Sequence, residues 1–406
     1  MTGGPAMPDI AGAEFLARPG VRQVLGLLDG GGEEARVVGG AVRNHLMDLP
    51  IADIDIATTA VPDEVLRRAR EAGVHAVPTG YEHGTVTLVA HGVAHEVTTL
   101  REDIHTDGRH AVVCFGRDFA ADALRRDFTI NALSVDGQGR LFDYGGGLAD
   151  VAARRVRFIG GADQRIREDY LRILRFFRFS AAYGDGTLEP GGLAAVLRHR
   201  EGLSRLSRER IRQEMMKLIV APQAGPVIGL MAEHGLLAPV LEGPGDAGRF
   251  LRLVALEAEA GARPEAVRRL MALAVSAVAD LDRLREALRL TNEEMRRMTA
   301  LVAARPDQHA HLALYRLGAE AFRDAVLLSA AAGDWPEWRE VMALPEAWQP
   351  PPFLLSGKDV LARGVARGPE VGETLARAER QWIAAGFPAA EDAQQQILAG
   401  ALPRPA

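Results

Sequence analysis

Two patterns of hydrophobic and polar positions divide the chain. From residue 35 to about 160, short β-rich runs alternate with helical segments, as in an α/β or α+β domain. "RVVGG" predicts a strand entering a turn, "AVRNHLMDL" a helix and "ADIDIATTA" a second strand. "PDEVLRRAREAG" predicts a helix that starts at Pro62 and ends at Gly73. "GTVTLVAHGVAHEVTTL" predicts a hairpin with its turn near His91 and Gly92.

After residue 160 the strand signals end, and Leu/Ala/Arg/Glu segments with helical periodicity continue to the end of the chain. A chain of 406 residues is long enough for more than one domain. With 48% hydrophobic and 25% charged residues, its composition is that of a globular protein. The sequence therefore predicts an α+β domain with a mixed sheet, followed by all-α domains.

Charge and cysteine content narrow the class of protein. The net charge of −6 gives no global sign of nucleic-acid binding, although charges can still cluster locally. The single cysteine, Cys114, excludes an internal disulfide and a multi-cysteine zinc site. The first residues show no signal-peptide pattern, and no apolar run reaches the roughly 18 residues of a membrane span. We therefore expect a cytoplasmic protein that does not associate with a membrane.

Two aspartates separated by one residue, Asp53 and Asp55, carry the first candidate chemistry. On an extended strand, side chains at i and i+2 point to the same face, about 7 Å apart. Carboxylate oxygens suit Mg²⁺, which takes its other ligands from water and substrate phosphates. A D-x-D strand is therefore a candidate two-metal platform for nucleotidyl transfer. The alternative is a solvated strand face.

Upstream, Gly39 and Gly40 stand between a predicted strand and a predicted helix. Glycines at this position let backbone N–H groups approach a phosphate closely, and Arg43 adds a positive charge. A tight turn without a ligand is the alternative interpretation.

Together with "RRDFTINAL" (125–133) and "EDYLRILRFFRFSAAYG" (168–184), this stretch resembles the class II tRNA nucleotidyltransferases, the CCA-adding enzymes, and the related bacterial poly(A) polymerases. The resemblance implies a polymerase-β-like nucleotidyltransferase head at 35–160, preceded by a helical extension at 1–34. It also implies a nucleobase-reading neck at 161–222, a helical body at 223–345 and a tRNA-binding tail at 346–406. One position departs from the family's G-G-x-V-R-D pattern, because Asn44 follows Arg43. A salt bridge made through that aspartate is therefore in doubt.

By this resemblance, Asp53 and Asp55 would hold Mg²⁺ while the 3′-hydroxyl of tRNA attacks the α-phosphorus of CTP or ATP. Glu96, on a neighbouring predicted strand, is a candidate third metal ligand, with a half-buried strand face as the alternative. Arg126 would contact the nucleotide phosphates, and Asp127 would accept a hydrogen bond from a ribose hydroxyl. Out of context, a capped helix start with solvated arginines is the alternative for this last motif.

The second motif places a polar stripe on a helix otherwise rich in Leu, Ile and Phe. Its members are spaced at i, i+3, i+6 and i+9, and they are Asp169, Arg172, Arg175 and Arg178. A solvated helix face is the plain interpretation. The resemblance instead implies that Asp169 and Arg172 read the incoming base, and that the two later arginines also belong to the nucleotide site.

Two further segments fit the same picture. The charged stretch 100–116 resembles the family's flexible loop that helps to switch the pocket from C to A, with a surface loop as the alternative. Ser207 is a predicted helix N-cap in an arginine-rich segment that could contact tRNA phosphates, with a charged, exposed helix as the alternative. The leading hypothesis is CCA addition. The alternatives are a poly(A) polymerase, an enzyme that adds only CC or only A, and a non-catalytic RNA-binding module.

Overall fold

The computed structural model describes residues 10–102 and 114–403. The chain forms two compact units, residues 1–240 and 241–406. Most of the predicted switching loop at 100–116 lies outside the described residues. Within the described ranges, no helix is long and apolar enough to cross a membrane. The finer boundaries expected for head, neck, body and tail stay predictions.

The first unit contains a seven-stranded mixed sheet in the order β3-β4-β5-β2-β1-β8-β9, and a separate pair formed by β6 and β7. Its strands are Ala35–Val38 (β1), Ile56–Thr58 (β2), His75–Gly80 (β3), Thr85–Ala90 (β4), Val93–Thr99 (β5), Arg101–Glu102 (β6), Cys114–Phe115 (β7), Ser134–Asp136 (β8) and Leu141–Phe142 (β9). All neighbouring strands pair antiparallel except β2 and β5, which are parallel. The predicted mixed sheet is confirmed.

Helices surround this sheet and continue beyond it. They are Glu14–Ala17 (α1), Pro19–Leu28 (α2), Gly40–Leu46 (α3), Pro62–Glu71 (α4), Phe119–Leu124 (α5), Gly147–Ala152 (α6), Ala162–Glu168 (α7), Leu171–Tyr183 (α8), Pro190–His199 (α9), Arg208–Ile219 (α10), Ala224–Glu233 (α11) and Ala238–Leu241 (α12), which crosses the boundary between the units. Short 3₁₀ turns lie at Tyr81–His83, Thr129–Asn131 and Arg200–Arg205. Helix α8 supplies much of the core through residues that are fully or almost fully buried, among them Ile173, Leu174, Phe176 and Phe177.

Local signals in the sequence located several of these elements. The β4–β5 hairpin turns at His91 and Gly92, with φ values of 51° and 76°. Positive φ at both central residues is the requirement of a type I′ turn, whose twist matches that of the strands. Helix α4 starts at Pro62 as predicted. Ser207 caps α10 by accepting a hydrogen bond from the backbone N–H of Arg210.

The strand predicted for "ADIDIATTA" begins later than expected. β2 starts at Ile56, so Asp53 and Asp55 precede the strand and do not lie within it. The alternation of faces nevertheless extends upstream, because Ile54 is buried while both aspartates are exposed. The two carboxylates therefore still share one side of an extended segment.

The second unit is all-α in its described residues, as predicted. Its helices are Ala247–Glu259 (α13), Ala266–Ala274 (α14), Ala279–Leu288 (α15), Asn292–Ala303 (α16), Ala310–Ala332 (α17, interrupted at Gly318), Trp338–Met342 (α18), Leu344–Ala347 (α19), Gly357–Ala362 (α20), Pro369–Ala384 (α21) and Glu391–Ala401 (α22). One apolar cluster packs Leu253, Phe322 and Trp338 together. Beside it, the buried carboxylate of Glu257 accepts hydrogen bonds from the Nε atoms of Arg268 at 2.8 Å and Arg269 at 2.7 Å.

Candidate active site

A polar pocket of about 580 Å³ opens in the first unit. It is formed by the turn after β1, the segment before β2, the segment after α5, helix α8 and the first turn of α10. Its lining holds seven arginines against three aspartates. This cationic excess suits a polyanionic ligand such as a triphosphate. The lining residues are Gly39, Gly40, Arg43, Asp55, Arg125, Arg126, Asp127, Asn131, Asp169, Leu171, Arg172, Arg175, Arg178, Phe179, Tyr183 and Arg210.

The glycine turn brings backbone close to the arginines of the pocket. Gly39 has φ 67°, a left-handed conformation that favours glycine. A Cβ atom at this position would lie 3.1 Å from Nη1 of Arg126. Gly40 is the first residue of α3. The turn therefore places a helix start at the wall of the pocket, as the glycine pair predicts.

Arg43 is held by neutral groups. Only 5% of the residue is exposed, and Asn44 Oδ1 accepts hydrogen bonds from its Nε at 3.1 Å and its Nη2 at 2.8 Å. Its Nη1 donates to Asn131 Oδ1, and its guanidinium carbon lies 3.7 Å from the ring centre of Tyr183. Burial lowers the pKa of Arg43. These hydrogen-bond partners are neutral, and the negative charge of Asp127 acts on Arg43 without a direct hydrogen bond.

The departure at Asn44 has a structural consequence. While its Oδ1 accepts from Arg43, its Nδ2 donates to the backbone carbonyl of Pro50 at 2.8 Å. An ionised aspartate can only accept. The amide therefore fixes Arg43 and ties it to the segment that leads into Asp53.

Asp55 lines the pocket, and Asp53 lies on the same side of the chain. The Val38 N–H donates to the Asp55 carbonyl at 3.0 Å and anchors this segment to β1. Although Asp55 is exposed at the wall of the pocket, the protein around its carboxylate displaces water and so raises its pKa, against the lowering effect of Arg126, and the charge of Asp53 raises it further. A cation would stabilise the ionised form of this pair. Two hard carboxylates fit a metal ion that takes its remaining ligands from water and phosphates.

Glu96 lies beside this pair in the sheet register. β2 and β5 run parallel with Ile56 opposite Val97, so Asp55 and Glu96 precede the same pair on neighbouring strands. Glu96 is exposed, and it does not line the pocket. Across residues 10–102 and 114–403, no group of three or more His, Cys, Asp or Glu side chains is placed to hold a metal ion. Its role as a third ligand stays a prediction.

The carboxylate of Asp127 is crowded with donors. Oδ1 accepts from the Phe128 N–H at 2.9 Å and from Asn131 Nδ2 at 3.0 Å. Oδ2 accepts from Arg175 Nε at 2.7 Å and Nη2 at 2.6 Å. A carboxylate offers about four lone-pair sites. A ribose hydroxyl would therefore have to displace one of these donors.

Two further arginines of the pocket, Arg126 and Arg178, each have a carboxylate partner. Arg126 Nη2 lies 3.1 Å from Asp122 Oδ2. Arg178 donates to Glu214, which is also 3.8 Å from Arg175. Glu214 is buried on α10, so these contacts join α8 to α10.

Asp169 and Arg172 both line the pocket but do not share a helix. α7 ends at Glu168 and α8 begins at Leu171, so the prediction that Asp169 lies on the helix of Arg172 was wrong. Asp169 Oδ1 accepts from the Leu171 N–H at 3.0 Å, so it caps the start of α8. Arg172 Nη1 donates to the Arg165 carbonyl at 2.8 Å. From Arg172 on, the stripe follows the helix as expected.

Two family models match parts of this chain. Residues 35–157 match the family described as "Poly A polymerase head domain". Residues 187–245 match the one described as "Probable RNA and SrmB- binding site of polymerase A". The mitochondrial CCA tRNA nucleotidyltransferase 1 of Mus musculus is 33% identical over 92% of this chain and 88% of its own length. The chain belongs to the CCA tRNA nucleotidyltransferase family.

Other relatives carry the same name or a close one. The CCA-adding enzyme of Limosilactobacillus fermentum is 34% identical over 89% of this chain and 92% of its own length. The crystal structure of the Bacillus stearothermophilus CCA-adding enzyme in complex with CTP superposes with a TM-score of 0.75 at 30% identity. It covers 94% of this chain and 96% of that chain. The predicted family and fold class are confirmed.

Several residues of the pocket were not predicted from the sequence. Asn131 stands within "RRDFTINAL", but no role was predicted for it. Arg210 was expected only within a cluster for tRNA phosphates. The other lining residues without a predicted role are Arg125, Leu171, Phe179 and Tyr183. For Leu171, Phe179 and Tyr183 the signal is helical spacing along α8, which also describes plain core residues.

Proposed function

We propose that this enzyme adds C, C and A to the 3′ end of tRNA, from CTP and ATP, with release of pyrophosphate. The observation that carries the proposal is the single pocket that unites the Gly39–Gly40 turn, Asp55 and the pair Asp169 and Arg172. Relatives named for CCA addition along nearly the whole chain support it. The single cysteine is compatible with a cytoplasmic location, which we also propose.

The reacting end of the pocket is the Asp53 and Asp55 pair. These residues would hold Mg²⁺, a hard cation that suits two carboxylates, and we propose Glu96 as a further ligand. When bound, the metal would lower the pKa of the RNA 3′-hydroxyl and neutralise charge on the triphosphate. The chain itself contributes two carboxylates presented on one side of an extended segment.

The triphosphate lies at the glycine turn in this proposal. The backbone N–H groups at the start of α3 and the guanidinium of Arg43 meet it there. Arg43 is well prepared, because its hydrogen-bond partners are neutral amides. Arg126 adds a second charge beside Gly39. Asp127 orients Arg175 towards the same pocket.

The base is read by protein side chains. Asp169 accepts a hydrogen bond from the exocyclic amine of C or A, and Arg172 donates to the neighbouring ring acceptor. U and G carry a carbonyl where that amine should be, and a carboxylate cannot donate to it. A bidentate pair of this kind is worth roughly 1 to 3 kcal/mol against the wrong base. Specificity for C and A then requires no nucleic-acid template.

The tRNA is bound by surfaces outside this pocket. Within the arginine-rich segment 198–212, we propose that the exposed Arg200 and Arg205, which precede α10, contact its phosphates, and such contacts make affinity salt-dependent. The helical residues 346–406 are proposed to contact the tRNA further from its 3′ end. No step of the proposed nucleotide addition requires a membrane.

Replacement of Asp53 and Asp55 separates an enzyme from an RNA-binding module. Asp53→Asn and Asp55→Asn should each abolish incorporation of labelled CTP while tRNA affinity, measured by filter binding, stays at the wild-type value. Asp63→Asn is the matched control, because Asp63 is an exposed head aspartate outside the pocket that contacts Tyr81. Full activity in either site variant would contradict the metal assignment. A wild-type protein that binds tRNA but incorporates no nucleotide would contradict the proposed enzymatic activity.

A further inference from the structure

Arg210 contacts the side chain that we assign to base reading. Its Nη2 donates to Asp169 Oδ2 at 2.7 Å, across the gap between α10 and the α7–α8 junction. We propose that Arg210 is a positioning residue that fixes the carboxylate of Asp169 and thereby sets the choice of amino bases over carbonyl bases. The inference rests on the proposed function of the pocket.

The backbone leaves the Asp169 side chain in need of such a partner. Asp169 lies between two helices in an extended conformation, with φ −153° and ψ 109°. The terminal torsion of an aspartate is broad, so a carboxylate held at one oxygen can still rotate. Leu171 N–H holds Oδ1 at 3.0 Å, and Arg210 holds Oδ2. Two contacts on different oxygens fix the plane of the carboxylate.

The fixed carboxylate keeps room for a base. Each carboxylate oxygen has two lone-pair sites, and these contacts use one on each. An acceptor site on each oxygen therefore remains for an exocyclic amine. Arg210, by contrast, is anchored from behind, because α10 packs on α8 and its first turn is capped by Ser207.

The small contribution to folding expected of the Arg210–Asp169 ion pair favours a role in recognition over one in stability. The side chains of Arg210 and Asp169 are 47% and 34% exposed. Ion pairs that are this open contribute roughly 0 to 1 kcal/mol to folding. The loss of Arg210 should therefore leave the fold intact and change the orientation of Asp169.

The same contact also restrains Arg210 itself. A guanidinium is a donor-only group, and a free one in this pocket would offer hydrogen bonds to the carbonyl of U or G. With its Nη2 committed to Asp169, that donor is withdrawn from the base. The pair thus favours the amino bases in two ways, because it orients the acceptor of Asp169 and withdraws a donor of Arg210.

The test is the ratio of kcat/KM for CTP to that for UTP, on a tRNA transcript that ends before CCA. Arg210→Gln should lower this ratio about tenfold, the size of one good base contact, with the KM for tRNA unchanged. Arg210→Lys, which keeps a donor and the charge, should restore part of the ratio. Arg208→Gln is the matched control, because Arg208 is in the same turn but does not line the pocket.

The same substitution in an Asp169→Ala enzyme tests whether Arg210 acts through Asp169. If Arg210 acts through Asp169, then Arg210→Gln should not lower the ratio further when Asp169 is already alanine. The same fractional loss in both backgrounds would overturn the inference, as would a wild-type ratio in Arg210→Gln. Failure of the wild-type enzyme to incorporate CTP would overturn the proposed function instead, and the two failures are therefore distinguishable in one assay.

Discussion

Asp127→Asn tests how the pocket is organised. In the structure Asp127 is 9% exposed, and four donors surround its carboxylate, two of them from Arg175. The substitution keeps the shape of the side chain and removes its charge. It also replaces one acceptor oxygen by a donor nitrogen, and because donors face both oxygens, one set of contacts is lost whichever way the amide turns, while any contact that Arg175 keeps is no longer to a charged group. We expect Arg175 to lose its fixed orientation towards the nucleotide.

The geometry gives the size of the effect. The two contacts to Oδ2, at 2.7 and 2.6 Å, form a charge-assisted fork. A hydrogen bond to a charged group is worth about 1.5 to 3 kcal/mol. The Arg175 side chain is 30% exposed, so solvent weakens the pair. Taking about 2 kcal/mol for the fork, kcat/KM should fall roughly 30-fold.

The assay compares CTP, ATP and their 2′-deoxy forms on transcripts of tRNA. The acceptor sites of the Asp127 carboxylate are already filled by protein donors, which leaves none for a ribose hydroxyl. Asp127→Asn should therefore lower kcat/KM for ribo- and deoxyribonucleotides by the same factor. Asp136→Asn is the control, since Asp136 is a similarly buried partner of an arginine in the β8–β9 turn, outside the pocket. A selective loss for ribonucleotides would refute this reasoning, and would mean that Asp127 contacts the ribose directly.

Three further predictions concern stability and base choice. Glu257→Gln should lower the free energy of unfolding of the second unit by about 3 kcal/mol, because it removes the buried counter-charge of two arginines. Urea unfolding followed by tryptophan fluorescence measures this change, since all four tryptophans lie in that unit. The control is Glu286→Gln, which breaks an exposed ion pair and should lower the free energy of unfolding by less than about 0.5 kcal/mol. Burial lowers the pKa of His95 below its usual 6.5, so the unfolded chain binds the proton more readily and stability should fall as the pH drops below 6.5. Circular dichroism melts should show a weaker acid dependence in His95→Leu but not in His75→Gln, an exposed control. Finally, Asp169→Ala should relax base choice more than it weakens triphosphate binding, which UTP and GTP incorporation would reveal; rejection of both as in the wild type would contradict the template role.

Local rules in the sequence were enough for much of the fold. Pro62, the His91–Gly92 turn and the Ser207 cap act within a few residues, so their elements could be predicted from short windows. The change to helical periodicity was placed near residue 160, and the last strand of the sheet ends before it, at Phe142. The turn and cap signals depend on the backbone and on side chains within a few residues of it.

The differences arose where distant chain segments decide the structure. β2 begins only at Ile56, because strand assignment depends on pairing with β1 and β5 and not on the local alternation alone. Asp169 caps α8 from a junction that helical spacing alone reads as one continuous helix. Arg210 reaches the pocket from another helix, 41 residues along the chain. No window of sequence shows a contact of that kind.

The most direct test of the central claim is nucleotide incorporation into three tRNA transcripts, ending before CCA, after C and after CC. Each is incubated with Mg²⁺ and one labelled nucleotide at a time, and then with CTP and ATP together. We expect that C, C and A complete the first transcript, that C and A complete the second and A the third, and that addition then stops. A long A tail would contradict it in favour of a poly(A) polymerase. Incorporation of only CC, or of A only on the transcript ending in CC, would contradict it in favour of an enzyme that performs one part of the addition.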